Sequence, residues 1–559
     1  MCGLVGLLGN LVRLQVIRGG ALQQRAEAQH GISFHPFTPR RTIIDRQGHA
    51  VAMDRQEYTL YAHPIGFEDS SLEHKAEIAQ KLAPITGQSP AEILERLNLR
   101  DSGIPLKVGL SEEDADRVRT LYVDGLDLAP YQARFYPYGS LFSHIVGYVN
   151  FEREGQVGVE LSQAELLHRS TPNLNLFQTA RGLITPDGVP EQFNYHEHLN
   201  LKLTVDNRLQ RRVQTLLAEE TVRHSAKRSI AIVMDVNTGA IRAMVTEPSY
   251  DPNVPLMEAD IPRLVNSAVS HLYEPGSTFK PINVAIALES GRLQPTEMIY
   301  DSGQVTMGTW TIRNHDYVSR GARGSLTITD VLKYSSNVGM IRIMQKLDPA
   351  QYFDWLTNLG IGDPTGIDVP FEASALMKSQ AQFTGSLVEP ATAAFGQGLS
   401  ITPMQLVQMQ AAIANGGSLV TPHVVEGLFD HDDQRQWTPD RPEPFPVFSP
   451  STSRLVVEMM EKVVSEGTGD AAQVPGYRIA GKTGTAQKVG NYGVYADGLR
   501  VTSFVGIFPA EAPQFVVLVV VDEPKGRNAF GGTVAAPIVQ KIIEHIIVLE
   551  NILPYRGQE

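Results

Sequence analysis

The chemistry of this sequence centres on a serine and a lysine three residues apart, Ser277 and Lys280. They follow the turn signal Pro275-Gly276 and lead into the apolar, Ala-rich run 282–288, so Ser277 is predicted to open a buried helix. Residues three apart share a helix face, which places the Lys280 amine against the Ser277 hydroxyl. The pair is a nucleophile with a base beside it. The N-terminus of the helix adds free N–H groups that suit an oxyanion or a carboxylate.

This pair alone is weak evidence for an active site. A chain of this length should contain roughly two Ser-x-x-Lys sequences by chance, and a solvated helix face is the commonest explanation of one. Ser277 is, however, the only serine that is followed by lysine three residues later. Its significance therefore depends on partners elsewhere in the chain.

Two further motifs supply such partners. Ser335 and Asn337 form the only Ser-x-Asn pair in the chain, in a predicted loop between two helical stretches. Lys482-Thr483-Gly484-Thr485 lies on a predicted strand and contains the only Lys-Thr-Gly. Each motif alone is commonplace, as a helix cap or as a fragment of an edge strand. Together with Ser277, in this order and about 60 and 150 residues apart, they match the motif set of acyl-serine transferases.

The set can carry out acyl transfer from a peptide, which needs a nucleophile, a base, a proton path and an oxyanion site. Ser277 would attack, and Lys280 would take its proton if burial and a second cation lower the pKa of the amine. Lys482 is the candidate cation. Ser335 would relay the proton between the two lysines and the leaving nitrogen.

The remaining motif residues would hold the substrate. The Asn337 amide can both donate to and accept from a peptide group. Strand alternation puts Thr483 and Thr485 on one face, where their hydroxyls would bind a terminal carboxylate. Gly484 is expected to leave room for a substrate backbone. The N–H groups of Ser277 and Thr485 are the expected oxyanion donors.

Composition excludes other functions. The chain has 559 residues, a net charge of −13 and a pI of about 5.6, which argues against nucleic-acid binding. Its one cysteine, Cys2, rules out an internal disulfide and a cluster held by several thiolates. His196-Glu197-His198 has no further ligand nearby and is interpreted as a linker strand, so no metal or cofactor is predicted.

The motifs lie within a predicted α+β fold. Two hairpins, 229–245 and 502–521, and a strand at 478–485 predict a mostly antiparallel sheet of about five strands. Amphipathic helices at 206–224 and 534–549 would flank this sheet. The segment between the hairpins is predicted to be an all-helical subdomain inserted into the fold.

The N-terminal part gathers no acid, base or nucleophile. Predicted strands at 40–48 and 58–62, a polar helix over 74–99 that Pro90 divides, and short strands around 135–150 indicate an elongated α+β pedestal. Residues 2–12 are apolar but cover only about half a membrane span. An ordinary amphipathic helix and the end of a membrane anchor fit them equally well. The predicted domains are 1–30 (remnant of a membrane anchor), 31–199 (pedestal) and 200–559 (catalytic).

The chain resembles the class B penicillin-binding proteins, more particularly the septal, cell-division type of D,D-transpeptidase. Sequences that carry the resemblance outside the three motifs are Arg41–Gly48, Tyr136-Pro137-Tyr138-Gly139, Tyr250-Asp251-Pro252-Asn253, Phe395-Gly396-Gln397-Gly398, Thr402-Pro403-Met404-Gln405 and Ala414-Asn415-Gly416-Gly417. Family members begin with a cytoplasmic tail and a full membrane helix, and Arg13-Leu14-Gln15-Val16-Ile17 resembles the exit from that helix. We therefore expect only the last part of the helix here, either because the start is truncated or mis-called or because the protein is anchored differently. There is no glycosyltransferase-like domain ahead of the pedestal, as a class A enzyme would have.

The resemblance implies a pedestal that carries a penicillin-binding, transpeptidase fold. It also implies cross-linking of peptidoglycan stem peptides that end in D-Ala-D-Ala, covalent binding of β-lactams, and membrane-embedded division or glycosyltransferase partners. The expected location is the inner membrane, single-pass, with the bulk of the chain in the periplasm. The septal role rests on the resemblance alone.

Three alternatives remain open at this point. A β-lactamase or β-lactam sensor shares the motifs but has no use for about 200 additional residues. A D,D-carboxypeptidase, with water as the acceptor, has the same motifs. A mainly scaffolding division protein would not need all three motifs intact.

Overall fold

The structure is a computed structural model that describes residues 2–17, 31–34, 39–169, 174–178, 184–185, 199–257, 260–489 and 495–555. His196-Glu197-His198 lies outside these ranges. Helix α1, Cys2–Val12, runs on into a π-helical turn, Arg13–Ile17. No helix within the described ranges is both long enough and apolar enough to cross a membrane.

The N-terminal unit is built on long antiparallel strands that pack against helices. Its strands are β1 Gly31–Phe34, β2 Ile43–Ile44, β3 Ala50–Ala62, β4 Ile104–Leu110, β5 Leu126–Phe135, β6 Leu174–Gln178 and β7 Ile184–Thr185. Its helices are α2 Leu72–Thr86, α3 Pro90–Leu97, α4 Glu112–Arg119, α5 Ser143–Val146, α6 Gly158–Ser162 and α7 Ala164–Leu167.

The predicted polar helix is two helices, α2 and α3. Gly87 ends the first in a left-handed conformation, and Ser89 caps the second in a capping box with Pro90 in its first turn. The short strand expected from residue 144 is instead the helix α5. Its four residues are all buried, so tertiary packing overrides the strand preference of Ile145-Val146.

A buried ion network fastens the strands of this unit to its small helices. Glu160 of α6 accepts hydrogen bonds from Arg134 of β5 at 2.6 Å and from Arg40 at 2.8 Å. Arg134 also pairs with Asp54 of β3 at 3.1 Å. These side chains are between 0% and 6% exposed, so each charge depends on its partners for solvation.

The rest of the chain contributes many more elements. Its strands are β8 Asn200–Leu203, β9 Arg228–Asp235, β10 Ile241–Glu247, β11 Met298–Asp301, β12 Gln304–Met307, β13 Trp310–Arg313, β14 Gly324–Thr327, β15 Ser418–Leu419, β16 Val425–Phe429, β17 Arg435–Trp437, β18 Phe445–Pro446, β19 Ala480–Val489, β20 Tyr495–Phe508 and β21 Phe515–Asp522. Its helices are α8 Asn207–Arg223, α9 Ile261–Leu264, α10 Ser267–Ser270, α11 Lys280–Glu289, α12 Tyr317–Arg320, α13 Ile328–Lys333, α14 Asn337–Met344, α15 Pro349–Asn358, α16 Gln380–Thr384, α17 Glu389–Ala393, α18 Pro403–Ala414, α19 Pro450–Glu466 and α20 Ala535–Leu549.

A five-stranded antiparallel sheet in the order β10-β9-β21-β20-β19 forms the catalytic core. Every residue of β21 is buried, as expected for a central strand that is covered on both faces. Helices α8 and α20 pack against one another and against this sheet. The prediction of a five-stranded sheet flanked by the first and last helices is confirmed.

The segment between the two hairpins is mainly helical, with α11, α18 and α19 packed together against the sheet. The expectation that it is all-helical holds only in part. Three two-stranded ribbons, β11 with β14, β12 with β13 and β15 with β18, interrupt the helices. The ribbon strands have two to four residues each, too short to show a clear alternation in the sequence.

A second large sheet joins the two parts of the chain. Its order is β17-β16-β8-β2-β3-β4, with β5 paired to β3. Strand β8 pairs in parallel with β2 of the N-terminal unit and antiparallel with β16. The boundary predicted at residue 200 thus falls at a strand whose neighbours come from both sides of it.

Candidate active site

Ser277 lies in a tight turn that begins its helix. Gly276–Phe279 is 3₁₀, and the α-helix α11 continues from Lys280 with Pro281 in its first turn. The Gly276 N–H donates to the Gly396 carbonyl at 2.9 Å, and a Cβ on Gly396 would lie 2.2 Å from the Gly276 carbonyl oxygen. Two backbones thus approach closely beneath the serine, which is half-buried.

Lys280 is fully buried, and its amine points to the Ser-x-Asn motif. Nζ donates to the Ser335 carbonyl at 2.6 Å, to Asn337 Oδ1 at 2.8 Å and to Ser335 Oγ at 3.2 Å. Within the described chain, the Ser277 hydroxyl has no hydrogen-bond partner. The structure therefore places Lys280 one turn from Ser277, as predicted, but engages its amine with Ser335 and Asn337.

Lys482 reaches the same hydroxyl from the other side. Its amine donates to Ser335 Oγ at 3.0 Å and to the Thr483 carbonyl at 3.1 Å, and the side chain is fully buried. Ser335 Oγ thus bridges the two lysines.

This arrangement disfavours a charge on both lysines. Burial lowers the pKa of Lys482 to about 7. Burial and the nearby Lys482 hold the pKa of Lys280 well below its ordinary value, against the opposing charge of Asp301. The lysine geometry meets the condition under which Lys280 can act as a base.

Ser335 takes an unusual backbone conformation in the loop between α13 and α14. Its φ is 56°, in the left-handed region, which costs a residue with a side chain about 1–3 kcal/mol. The next residue, Ser336, is the N-cap of α14 and accepts from the Gly339 N–H at 2.8 Å. The helix-cap explanation is therefore correct for Ser336, whereas Ser335 faces the lysines.

A buried polar network that the motifs did not reveal supports this loop. Asp301, at 0% exposure, accepts from Asn314 Nδ2 at 2.7 Å and from Ser336 Oγ at 2.8 Å. Asn314 Oδ1 accepts in turn from the N–H groups of Asn337 at 2.9 Å and Val338 at 3.1 Å. Asp301 and Asn314 therefore position the Ser-x-Asn motif.

The two threonines of strand β19 line the same groove. Thr485 Oγ1 accepts from the Gly531 N–H at 3.1 Å, which leaves its own hydrogen free to donate. Thr483 Oγ1 lies 3.1 Å from Thr468 Oγ1. Both hydroxyls are therefore held in place on the face predicted by strand alternation.

Gly484 is explained by packing. A Cβ there would lie 2.3 Å from Ser503 Oγ and 2.8 Å from Thr278 Cγ2. The space that a side chain would need is filled by the neighbouring strand β20 and by the turn that carries Ser277. This reason differs from the expected one, room for a substrate backbone.

The motif residues Ser277, Ser335, Asn337, Thr483 and Thr485 open onto one groove of about 710 Å³. The other lining residues are Gly276, His315, Phe395, Gln397, Thr468, Gln487, Arg500, Phe530, Gly531 and Gly532. None of the lining residues is acidic, and the described part of the chain has no cluster of three or more residues that would bind a metal. The groove can accommodate an extended, anionic substrate between the nucleophile and β19.

Comparison with known proteins identifies the family. Residues 229–544 match the penicillin-binding protein transpeptidase domain, and residues 37–168 match the penicillin-binding protein dimerisation domain. The chain therefore belongs to the class B penicillin-binding proteins, and the resemblance inferred from the motifs is confirmed. Over nearly its whole length it is a homologue of the peptidoglycan D,D-transpeptidase FtsI.

Individual relatives align almost end to end. The FtsI homologue of Mesostigma viride is 39% identical over 98% of this chain and 94% of its own length. FtsI of Escherichia coli K12 is 30% identical over 99% and 92%. The crystal structure of penicillin-binding protein 3 of Mycobacterium tuberculosis complexed with aztreonam superposes with a TM-score of 0.69 at 26% identity, covering 92% of this chain and 97% of that one.

Proposed function

We propose that the protein cross-links peptidoglycan stem peptides through an acyl-enzyme on Ser277, with release of the terminal D-alanine. The observation that carries this proposal is the single hydroxyl, Ser335 Oγ, that both buried lysines contact, at 3.2 and 3.0 Å. Two amines that share one hydroxyl provide a path for a proton from the nucleophile to the leaving group.

The steps follow from these positions. Lys280, whose pKa is lowered by burial and by Lys482, takes the Ser277 proton as Oγ attacks the carbonyl of the penultimate D-alanine. The proton passes through Ser335 to the leaving nitrogen, and the carbon–nitrogen bond breaks. The amine of a neighbouring stem peptide then attacks the ester, and Ser277 recovers its proton.

The other motif residues bind the substrate in this proposal. Asn337 holds a peptide group of the donor, and the free hydrogen of the Thr485 hydroxyl points to the terminal carboxylate, with Thr483 beside it. The first N–H groups of a helix have no partner within it, so the Ser277 N–H is free to stabilise the oxyanion together with that of Thr485. Gly484 contributes by allowing β19 to pack against the serine turn.

The domain arrangement and location are part of the same proposal. Residues 31–199 form the pedestal of a catalytic domain that comprises residues 200–559, and residues 1–30 belong to the membrane anchor. The bulk of the protein is extracytoplasmic and works in septal synthesis beside membrane-embedded division and glycosyltransferase partners. The likeness to FtsI over both domains supports this role.

A fluorescent penicillin tests the nucleophile. We expect a stable covalent adduct on the peptide that contains Ser277, and no adduct with Ser277→Ala. Ser465→Ala, at an exposed position of α19, is the matched control and should be labelled like the wild type. Rapid turnover of the drug would instead favour a β-lactamase, and labelling of Ser277→Ala would refute the assignment. D-alanine release without transfer to an added acceptor amine would favour a carboxypeptidase.

A further inference from the structure

The catalytic groove extends past Thr485 to a pair of polar side chains, Gln487 and Arg500. They are directly opposite each other in the register of β19 and β20, and both line the groove. Thr483, Thr485 and Gln487 alternate along β19 and therefore share one face. Gln487 and Arg500 lie about 7 Å along the strand from Thr485, about the length of two residues of extended chain.

An aromatic ring restrains the Arg500 guanidinium in the groove. The guanidinium lies over the Phe530 ring, 5.3 Å from its centroid. The next residue, Gly531, is the one whose N–H donates to Thr485 Oγ1 at 3.1 Å. One short segment thus contacts both Thr485 and Arg500, and stacking restrains the guanidinium before any ligand arrives.

The charge of Arg500 is not neutralised by the described residues. No carboxylate there forms an ion pair with it, although the chain carries a net charge of −13. None of the fifteen groove-lining residues is acidic. Arg500 is half-buried and has free N–H donors in a groove that has no acidic residue. The planar fork of its guanidinium matches the two oxygens of a carboxylate.

We propose that Arg500, with Gln487 beside it, forms a carboxylate subsite for the acyl donor and determines specificity for anionic donors. The proposal rests on the proposed function, since it assigns a ligand to the same groove. Two carboxylates of a stem peptide have the required chemistry, the C-terminal carboxylate and one on the side chain that precedes the two D-alanines. Arg500 either shares the C-terminal carboxylate with Thr485 or binds the side-chain carboxylate, and matched probes distinguish these two sources.

The subsite is tested by comparing acylation rates of Arg500→Gln and the wild type with two pairs of probes, each pair differing in one carboxylate. Benzylpenicillin and its neutral methyl ester differ only in the carboxylate. Two peptides that end in D-Ala-D-Ala, with the preceding side chain ending in a carboxylate or in an amide, test the second source. Loss of a charge-assisted hydrogen bond should slow the reaction of a probe that carries the bound carboxylate about 10- to 100-fold and leave a probe that lacks this carboxylate unchanged.

The outcomes show which of the two carboxylates Arg500 binds, or that it binds neither. Slowing with benzylpenicillin but not its ester assigns the C-terminal carboxylate, whereas slowing confined to the peptide with the acidic side chain assigns the other. Arg500→Lys, which keeps the charge, should recover part of the rate, and Arg454→Gln, at an exposed position of α19, should behave as the wild type. Slowing of the methyl ester as large as that of benzylpenicillin would overturn the subsite, and so would equal slowing of the two peptides at an unchanged rate with benzylpenicillin. So would wild-type rates with all four probes, and adduct formation at Ser277 would then still support the proposed function.

Discussion

Replacement of Lys482 by methionine should make the protein more stable at neutral pH and inactive. Lys482 is fully buried, and its amine contacts two hydroxyls and a carbonyl but no carboxylate in the described structure. Burial lowers its pKa from the ordinary 10.5 to about 7. Between these values the unfolded chain binds more protons than the folded one, so wild-type stability falls as the pH falls from 10.5 to 7.

The size of the effect follows from that difference in pKa. A drop from 10.5 to about 7, at about 1.4 kcal/mol per unit of pKa, corresponds to on the order of 5 kcal/mol of stability. As the pH rises from 7 to 9.5, deprotonation of Lys482 should raise the free energy of unfolding of the wild type by on the order of 3 kcal/mol. Methionine has a similar length and no charge, so Lys482→Met should lose this pH dependence and unfold at a higher temperature at pH 7.

Calorimetric unfolding temperatures from pH 7 to pH 9.5 measure the effect, with fluorescent penicillin labelling as the activity readout. Lys488→Met is the matched control on the same strand. Although burial disfavours its charge, hydrogen bonds to Asp522 and Glu523 raise the pKa of Lys488, so its loss should destabilise the protein. That destabilisation should shrink as the pH rises through the range where lysines titrate. Parallel pH dependence of the wild type and Lys482→Met would refute the reasoning.

Two further variants test the loop and the pedestal. Ser335→Gly keeps the left-handed backbone but removes the hydroxyl between the lysines, so penicillin acylation should fall about 10²- to 10⁴-fold. Relief of the left-handed φ offsets the lost hydrogen bonds, so the unfolding temperature should change little; wild-type acylation would rule out the relay. Glu160→Gln leaves the buried Arg40 and Arg134 without their shared carboxylate and should cost about 3–5 kcal/mol in an unfolding titration. The acylation rate of its folded fraction should not change, and wild-type stability would show that the network contributes little.

The sequence predicted the catalytic core well because its signals are local. The apolar runs of β9, β20 and β21 are separated by turn residues, and the flanking helices α8 and α20 have clear amphipathic patterns. The three motifs could be combined because their order and spacing matched a known set, and the structure brings Lys280, Ser335 and Lys482 together.

The supporting residues could not be predicted in this way. Asp301 and Asn314 act on the Ser-x-Asn loop through tertiary hydrogen bonds, and Asp301-Ser302-Gly303 has the composition of an ordinary turn. The reason for Gly484 likewise depends on Ser503 and Thr278, which reach it from other elements. Contacts of this kind leave no period or spacing in the sequence.

The sheet shared by the two parts of the chain also bears on how the protein is made. Strand β8 gains its second neighbour, β16, only when residues 425–429 exist, which at 5–20 residues per second is roughly 10 to 40 s after β8 is synthesised. A pedestal cut off at residue 199 would present β2 without its parallel partner, as an open edge that invites pairing with other chains. The sheet of the N-terminal unit is thus completed by a strand of the catalytic sequence.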